Sequence, residues 1–472
     1  MRQWMWSVLV AALMAAPCAA AEAVATESKS APAAAAAPRI AVSDEKDQVV
    51  LEKFYGHART FAAKLTAEHF QAKEEPEMLC WLELKHMNMS LVAYEFTGDL
   101  VHLRDFATAL ANLRASLKKG PDGFLGWYGK PIKDRRDPAR PEAQSDDIQT
   151  SFRAVWVLSR FLEIVQREER LKAEFGALRE PLLDLMENHL VRKWHDRLYW
   201  VDLGPDGGIY RMNNIKPPGN AISLPWEKLS IAVDGLLALY RVTGNDLYME
   251  RIVKIGTLFK RRLQLIEGRY QWYRWVPLGK WDIHPTNPDK WATWIGRSPL
   301  ASWYDVEVGI AVALYHHGVV FDRKDMDRFV KNQVGVAWNG DAEKPEFFNC
   351  EGKPSDRKGQ QFLCPALAPF SEKLAAFLFT GTLQKERVDK SGSDWQGGVL
   401  ASSWLWDKYV MMPASAGGKP MYADHGKRFL AKEENRKLAE SLGFEVVEPG
   451  FKMPLTPAQM APMPEAAQPK VQ

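Results

Sequence analysis

The sequence predicts an all-α fold of about five to seven helical hairpins, and two repeated features lead to this prediction. Apolar-periodic segments end in Thr-Gly-Asp at 97–99 and in Thr-Gly-Asn at 243–245, and a shorter copy of the turn occurs at 380–382. Glycine adopts the left-handed conformation that ends one helix, and the following Asp or Asn can cap the next. Only short aromatic stretches such as 270–275 have strand-forming residue types, which predicts minor β structure.

Helix pairs are predicted in order at 78–118, 145–190, 224–266, 302–335 and 366–412, with single helices at 44–72 and 425–442. The first helices of the pairs, as at 230–239 and 308–314, are apolar nearly all round, whereas a second helix such as 248–262 has a polar face. Helices that are apolar all round are buried, so we expect an inner ring of first helices and an outer ring of second helices. This arrangement is an (α/α) toroid or barrel.

The amino-terminal segment predicts export. A basic start, a short apolar stretch and the small residues at 19–21 are typical of a signal peptide over 1–21, and Pro17 makes lipid attachment at Cys18 a poor fit. We expect a flexible linker at 22–43, a single toroid domain at 44–445 and a disordered tail at 446–472. The expected location is periplasmic or secreted, with no integral membrane segment after signal removal.

Three cysteines remain after signal removal: Cys80, Cys350 and Cys364. A short loop closed by Cys350 and Cys364 fits an oxidising compartment, with Cys80 buried and reduced, although the odd count leaves this pairing open. No metal-ligand spacing, phosphate-binding glycine loop or nucleophile motif is found. We therefore expect neither a metal nor a cofactor.

The loops that follow the second helices are rich in aromatic residues. In a hairpin that runs from the inner to the outer ring, these loops meet at one end of the barrel; they include 123–129, 194–214 and 268–275. Six tryptophans lie between positions 272 and 303, interleaved with arginine, lysine and histidine. Because indole faces stack on sugar rings and arginines bind carboxylates, the pattern indicates an acidic polysaccharide. The alternative is that the rings belong to the core.

These loops are also basic. Segments 127–140, 210–220 and 268–303 carry net charges of +3, +2 and +3, whereas the whole chain carries +3. A cleft with such a charge attracts anions. Stacking rings and cations also describe a single-stranded nucleic-acid groove. The export signal, the nearly neutral chain and the helical-hairpin pattern argue against that partner.

Together, the hairpin turns, the tryptophan-rich loops and the export signal resemble the α/α-toroid carbohydrate-active enzymes. This group contains six-hairpin glycosidases and polysaccharide lyases with toroidal catalytic domains. The resemblance covers roughly residues 76–412 and is one of architecture and composition. It implies a fold, whereas the chemistry has to come from the site.

A lyase or epimerase acting on a uronate must neutralise the sugar carboxylate and move the C5 proton. Tyr304, in the first turn of an inner helix, is the predicted acid/base, with His284 as its partner and Arg297 with Asn213 on the carboxylate. The predicted substrate-binding residues come from the aromatic loops and the start of the helix at 302: Trp127, Trp200, Arg211, Trp272, Arg274, Trp275, Trp281 and Trp303.

Other interpretations remain open. A hydrolase would need two carboxyl groups on either side of the scissile bond; the candidates are Asp146, Asp147, Glu227, Asp305 and Glu307. All of them also suit helix capping, His284 also suits a turn cap, and Tyr304 also suits a packed core. Glu83, His86 and Asn88 lie on an inner helix and are weaker candidates for the barrel interior. A non-catalytic glycan-binding or scaffold protein would keep the rings without a paired acid and base.

Overall fold

The structure is a computed structural model. It describes residues 39–73, 75–129, 146–213, 221–284, 286–293, 295, 302–348, 363–381, 384–385, 395–444 and 456–459. This part of the chain is predominantly helical with a few small sheets, which confirms the all-α prediction at that level.

The helices run in sequence order through the whole described chain. Their bounds are α1 Glu45–Lys64, α2 Ala67–Gln71, α3 Pro76–Trp81, α4 Glu83–Thr97, α5 Leu100–Ala115, α6 Ile148–Gln166, α7 Glu169–Phe175, α8 Arg179–Asp184, α9 Arg192–Asp196, α10 Trp226–Thr243, α11 Asp246–Arg261, α12 Ser302–His316, α13 Arg323–Gln333, α14 Glu372–Phe379, α15 Trp395–Trp406, α16 Met412–Ala414, α17 Ala423–Leu430 and α18 Glu433–Leu442.

The strands are short and antiparallel, and they follow the second helices of hairpins, where minor β structure is predicted. Two-stranded pairs are formed by β1 with β2, β6 with β7 and β8 with β9, and β4 lies between β3 and β5. Their bounds are β1 Lys118–Lys119, β2 Leu125–Gly126, β3 Trp200–Asp202, β4 Gly208–Asn213, β5 Ala221–Ser223, β6 Gln264–Ile266, β7 Arg269–Gln271, β8 Ile283–His284 and β9 Asn287–Trp291.

The repeated turns form as predicted. Gly98 and Gly244 have φ of 72° and 71° and end α4 and α10. The next residues cap the following helices: the Asp99 carboxylate accepts from the Val101 amide at 2.9 Å, and Asn245 accepts from the Leu247 amide at 3.1 Å. The hairpins at α4–α5 and α10–α11 are therefore set by local sequence.

The first helices of successive hairpins pack side by side. Helix α6 contacts both α4 and α10, and α10 also contacts α12. Helix α4 packs in addition against α1, α5 and α15. Along α10, nearly every residue from Trp226 to Tyr240 is buried, which explains why this helix is apolar on all sides.

The C-terminal helices α17 and α18 cover one end of this packing. The Tyr422 amide donates to the His316 carbonyl at the end of α12 at 2.8 Å, and the Tyr240 hydroxyl of α10 donates to the His425 carbonyl at 3.2 Å. A Cβ at Gly426 would lie 2.1 Å from the His317 carbonyl oxygen, so a larger residue would push α17 away. The carboxyl ends of α10 and α12 therefore lie directly beneath α17.

The described helices run from Glu45 to Leu442, within the domain predicted over 44–445. The predicted signal peptide and most of the linker lie outside the described residues. Within the described ranges, no helix is long and apolar enough to cross a membrane. Cys80 and Cys364 are buried free thiols, and Cys350 lies outside the described residues.

Candidate functional site

The tryptophan-rich loop is the segment 268–303, and a buried carboxylate, Asp282, organises its described part. Its Oδ1 accepts from the Ser223 amide at 2.8 Å, and its Oδ2 accepts from the Ser223 hydroxyl and the Leu278 amide, both at 2.7 Å, and from the Gly279 amide at 3.3 Å. Burial raises the pKa of Asp282 to about 6 although these donors favour the charged form. This carboxylate joins the loop to strand β5.

Several indoles are also tied into the protein interior. The Trp275 Nε1–H donates to the Ser223 carbonyl at 2.8 Å, the Trp272 Nε1–H to Glu307 Oε2 at 2.6 Å, and the Trp127 Nε1–H to Ser116 Oγ at 3.1 Å. These three tryptophans are buried, with exposures of 1%, 2% and 5%. The sequence predicts them on a cleft surface, and the structure instead places them inside, because each ring fills core space and satisfies its N–H there.

Trp200 and Trp281 are half-buried, and each has an arginine over its ring. The Arg251 guanidinium lies 4.4 Å from the Trp200 ring centroid, and the Arg211 guanidinium lies 5.5 Å from that of Trp281. Arg211 also donates to the Leu198 carbonyl at 2.9 Å. Intramolecular contacts therefore occupy one face of each of these two rings.

The aromatic loops do meet, as the hairpin geometry predicts. Arg197 donates to the Tyr128 hydroxyl at 2.8 Å, which joins the second loop to the first. The contact between Arg211 and Trp281 joins the second loop to the third. The described parts of the three loops are thus in contact with one another, and we call these parts the rim.

The structure places the remaining predicted site residues as follows. The His284 Nδ1 accepts from the Thr286 hydroxyl at 3.2 Å, so this imidazole holds a turn. Arg274 forms an ion pair with Glu227 at the start of α10. The backbones of Asn213 and Tyr304 belong to β4 and α12. The side chains of Asn213, Trp303 and Tyr304, and all of Trp294 and Arg297, lie outside the described residues.

Four of the five carboxylates proposed for hydrolysis, Asp146, Asp147, Glu227 and Glu307, serve local structure. Asp146 binds Lys193 at 2.7 Å and Arg197 at 3.0 Å. Asp147 caps α6 by accepting from the Thr150 amide at 2.8 Å. Glu227 pairs with Arg274 and Glu307 accepts from Trp272, as described above.

A second aromatic and cationic surface lies between the first helices of the hairpins. Almost all residues of helices α4, α6 and α10 are buried, and the few partly exposed residues lie in a narrow stripe on each helix. From Ile148 to Val165 the residues that still reach solvent are Trp156, Arg160 and Glu163. From Glu83 to Phe96 the residues that reach solvent are Lys85 and Asn88. From Ile222 to Tyr240 only Asp234 reaches solvent.

These stripes face one another. The Arg160 guanidinium lies between two indoles, 5.3 Å from the Trp156 ring and 4.6 Å from the Trp406 ring, and it donates to the Asn88 side-chain oxygen. Arg160 therefore connects α4, α6 and α15. We call the residues that share this space the interior site: Trp81, Lys85, Asn88, Arg153, Trp156, Arg160, Asp234 and Trp406.

Two further cations belong to the interior site. The Lys85 ammonium lies 5.1 Å from the Trp81 ring, and the Arg153 guanidinium lies 5.1 Å from the Trp156 ring. Burial lowers the pKa of Lys85 to about 8, and the positive charge of Arg153 adds to this effect. The two cations are thus close enough to repel each other.

The three cations of the interior site share it with one carboxylate, Asp234, which interacts electrostatically with Arg153. Among the described residues, Lys85, Arg153 and Arg160 form no ion pair. Burial raises the pKa of Asp234 to about 6, and no described residue donates a hydrogen bond to its carboxyl group. An anion entering this space would meet three cations and the faces of three indoles.

The sequence contains a signal for the interior site that lies outside the aromatic loops. Positions 153, 156, 160 and 163 recur at helical spacing in α6, and 227, 234 and 241 recur every seven residues in α10. Of the weaker candidates on α4, Asn88 does face the interior site. His86 is buried and stacks on Phe61 at 4.4 Å, and Glu83 pairs with Lys73 at 2.7 Å.

Comparisons with known proteins add no identification. No protein family, curated protein or solved structure matches the chain. Within the described residues, no group of three or more His, Cys, Asp or Glu side chains has a metal-binding arrangement.

Proposed function

We propose that this protein is an exported enzyme that cleaves or epimerises a uronate-containing acidic polysaccharide by abstraction of the sugar C5 proton. The observation that carries the proposal is the set of three cations without ion-pair partners, Lys85, Arg153 and Arg160, among the indoles of the interior site. Buried charges normally have partners. A polyanionic ligand with sugar rings supplies both the missing charge and a surface that indoles bind.

The proposal includes a toroid in which the first helices enclose the interior site. Its support is the succession of contacts from α15 to α4, α6, α10 and α12. Gly309, in the middle of α12, has no atom within 4 Å of the position of a Cβ, and Ala313 one turn later is half-buried. Small residues beside open space on α12 fit the fourth wall of a ligand-binding interior.

Substrate binding is assigned to the arginines and indoles. Arg160 is held in place by Trp156, Trp406 and Asn88, so little side-chain freedom is lost when it binds a carboxylate. Arg153 is buried and lies one helical heptad before it on the same face of α6. The two arginines are about 10 Å apart along the helix, so they can bind different acidic groups of one oligosaccharide.

Proton transfer is assigned to two groups. Lys85 has a pKa of about 8, so a substantial fraction is neutral in mildly alkaline solution and can accept the C5 proton. Tyr304, at the start of α12, remains the proposed acid for the departing oxygen. Arg297 and Asn213 remain proposed carboxylate ligands and His284 the proposed partner of Tyr304, although the contact of His284 with Thr286 also gives it a structural role.

The test is incubation of the purified mature protein with alginate, glucuronan and hyaluronan-like polymers. Elimination produces an unsaturated uronate, which is followed by its ultraviolet absorbance, and reducing ends are measured alongside. We expect Arg160→Gln to weaken binding about 10- to 100-fold, because a charge-assisted hydrogen bond contributes about 1.5–3 kcal/mol. The matched control is Arg104→Gln, at an exposed arginine that pairs with Glu174 on α7.

The possible results separate the alternatives. Chromophore formation that depends on Arg160 and not on Arg104 supports elimination. New reducing ends without the chromophore indicate a hydrolase, and exchange of the C5 proton with solvent without chain cleavage indicates an epimerase. Binding without any of these changes indicates a glycan-binding protein, and absence of binding to every polymer contradicts the proposal.

A further inference from the structure

The interior site is bounded at its lower end by a layer of paired side chains. Arg241 of α10 makes two hydrogen bonds to the Glu163 carboxylate of α6, one of them 3.1 Å long. The same guanidinium lies 4.9 Å from the ring of Tyr422, and the His317 ring lies 5.0 Å from that ring. We call Glu163, Arg241, His317 and Tyr422 the closing layer.

The closing layer lies next to the interior site and is held in place. Glu163 of the layer follows Arg160 by three residues on the same face of α6, and both side chains are partly exposed there, so Arg160 borders the layer. Burial lowers the pKa of Arg160, while the carboxylates of Glu95 and Glu163 favour its charged form. The amide of Tyr422 is bound to the carbonyl of His316, and α17 packs against the same end of α12. A polymer passing through would have to break these contacts.

The two ends of the helix-lined space therefore differ. At the amino ends of the helices lies the rim of aromatic loops, where three connections meet. At the carboxyl ends, Glu163 is paired with Arg241, Glu95 of α4 is paired with Arg167, and α17 lies beneath. In the described part of the chain, paired side chains and α17 close the carboxyl end, whereas loops border the amino end.

We infer that the interior site is a blind pocket that takes the end of an acidic polysaccharide chain, with the closing layer as the determinant that excludes internal segments. The inference rests on the proposed function and specifies its mode of action. A pocket closed at one end accepts as many sugars as fit between the rim and the closing layer. The enzyme would therefore release small products from chain ends and leave the remaining polymer long.

The experiment uses the uronate polymer to which the mature protein binds, as a short oligosaccharide series and as a long-chain preparation. Binding is followed by tryptophan fluorescence, and early products are separated by size-exclusion chromatography. We expect half-saturation at equal molar concentrations of chains, whatever their length, and small products from the first turnovers with little fall in polymer size.

Half-saturation at equal concentrations of sugar residues, or an early collapse of polymer size, would overturn the blind pocket and leave the proposed function in place. Failure to bind both short and long chains would overturn the proposed function and the inference together. These wild-type measurements decide the question without any variant.

A variant sharpens the assignment to the closing layer. Tyr422→Ala removes the ring that packs on both Arg241 and His317 and should raise the share of mid-sized products at least about threefold, because it opens the pocket at its lower end. The matched control Tyr55→Ala removes a half-buried ring from α1, outside the interior site, and should leave the product sizes unchanged. An unchanged profile in a folded Tyr422→Ala protein would contradict the assigned role of Tyr422.

Discussion

The tryptophan-rich loop and the interior site both contain tryptophans and cations, but these residues differ in burial and in hydrogen bonding. In the loop, Trp272 and Trp275 are buried and their N–H groups are bound to Glu307 and Ser223. In the interior site, Trp156 and Trp406 are half-buried, and their described polar contacts are the shared cation Arg160 and, for Trp156, also Arg153. The loop uses its rings to hold itself together, whereas the interior site leaves rings and cations available.

Two aspartates show the same contrast. Burial raises the pKa of both Asp282 and Asp234 to about 6. Asp282 nevertheless accepts four hydrogen bonds, while Asp234 accepts none from the described residues. A raised pKa therefore does not by itself mark a functional group; the difference lies in whether the fold satisfies the carboxylate.

The largest expected effect compares one tryptophan from each region. Trp272→Ala should lower the free energy of unfolding by about 3–5 kcal/mol, because it leaves a cavity and removes the donor to Glu307. Trp156→Ala should lower it by less than about 2 kcal/mol, because that ring is already partly exposed. Urea titration of both variants measures this, and an equal or larger loss for Trp156→Ala would contradict the distinction.

The next effect concerns Tyr304 in the first turn of α12, three residues before Glu307 of the loop contacts and five before Gly309 of the proposed interior. Tyr304→Phe should lower turnover about 10²-fold or more and leave saccharide binding nearly unchanged, because a positioned acid or base contributes about 10²–10⁴. Arg297→Ala should instead lower turnover and also weaken saccharide binding. Near-normal turnover of Tyr304→Phe would remove this residue from the mechanism.

The two aspartates supply a third prediction, on stability. A folded-state pKa raised from 3.8 to about 6 means that stability from this group falls as pH rises from about 4 to 6 and stays lower above 6. Asp234→Asn should remove this loss and raise the free energy of unfolding at pH 7 by about 1–3 kcal/mol.

Asp282→Asn should instead lower the free energy of unfolding at pH 7, because an amide group would face backbone N–H donors that need an acceptor. Urea titration at several pH values follows both variants. A destabilised Asp234→Asn protein would show that the fold depends on this carboxylate, as it does on that of Asp282.

The smallest effect is a proton taken up on binding. Because the pKa of Lys85 is lowered to about 8, an anionic ligand beside it should raise that pKa and bind a fraction of a proton near pH 8. Calorimetric titration in buffers of different ionisation enthalpy measures the uptake. Lys85→Met should abolish it, and persistence of the uptake in that variant would assign the proton to another group.

Much of the fold could be predicted from local sequence. The helix bounds at α4–α5 and α10–α11 follow from Gly98 and Gly244 with their capping neighbours, and the meeting of the aromatic loops follows from hairpin geometry. The candidate site was harder to predict. Trp156 and Arg160 lie in a helix whose other residues are core, and an apolar helix gives little reason to expect that one narrow stripe meets solvent.

The sequence by itself determined the helices, their caps and the order of the hairpins, because these depend on neighbouring residues. The tertiary structure decided which tryptophans are core and which face ligand-accessible space. Trp275 is buried because strand β5, fifty-two positions away, supplies its acceptor. Arg160 is available because two indoles and an amide contact it, while the nearby carboxylates of Glu95 and Glu163 are paired with Arg167 and Arg241. Burial and charge pairing are properties of surfaces brought together from distant positions, so no local pattern fixes them.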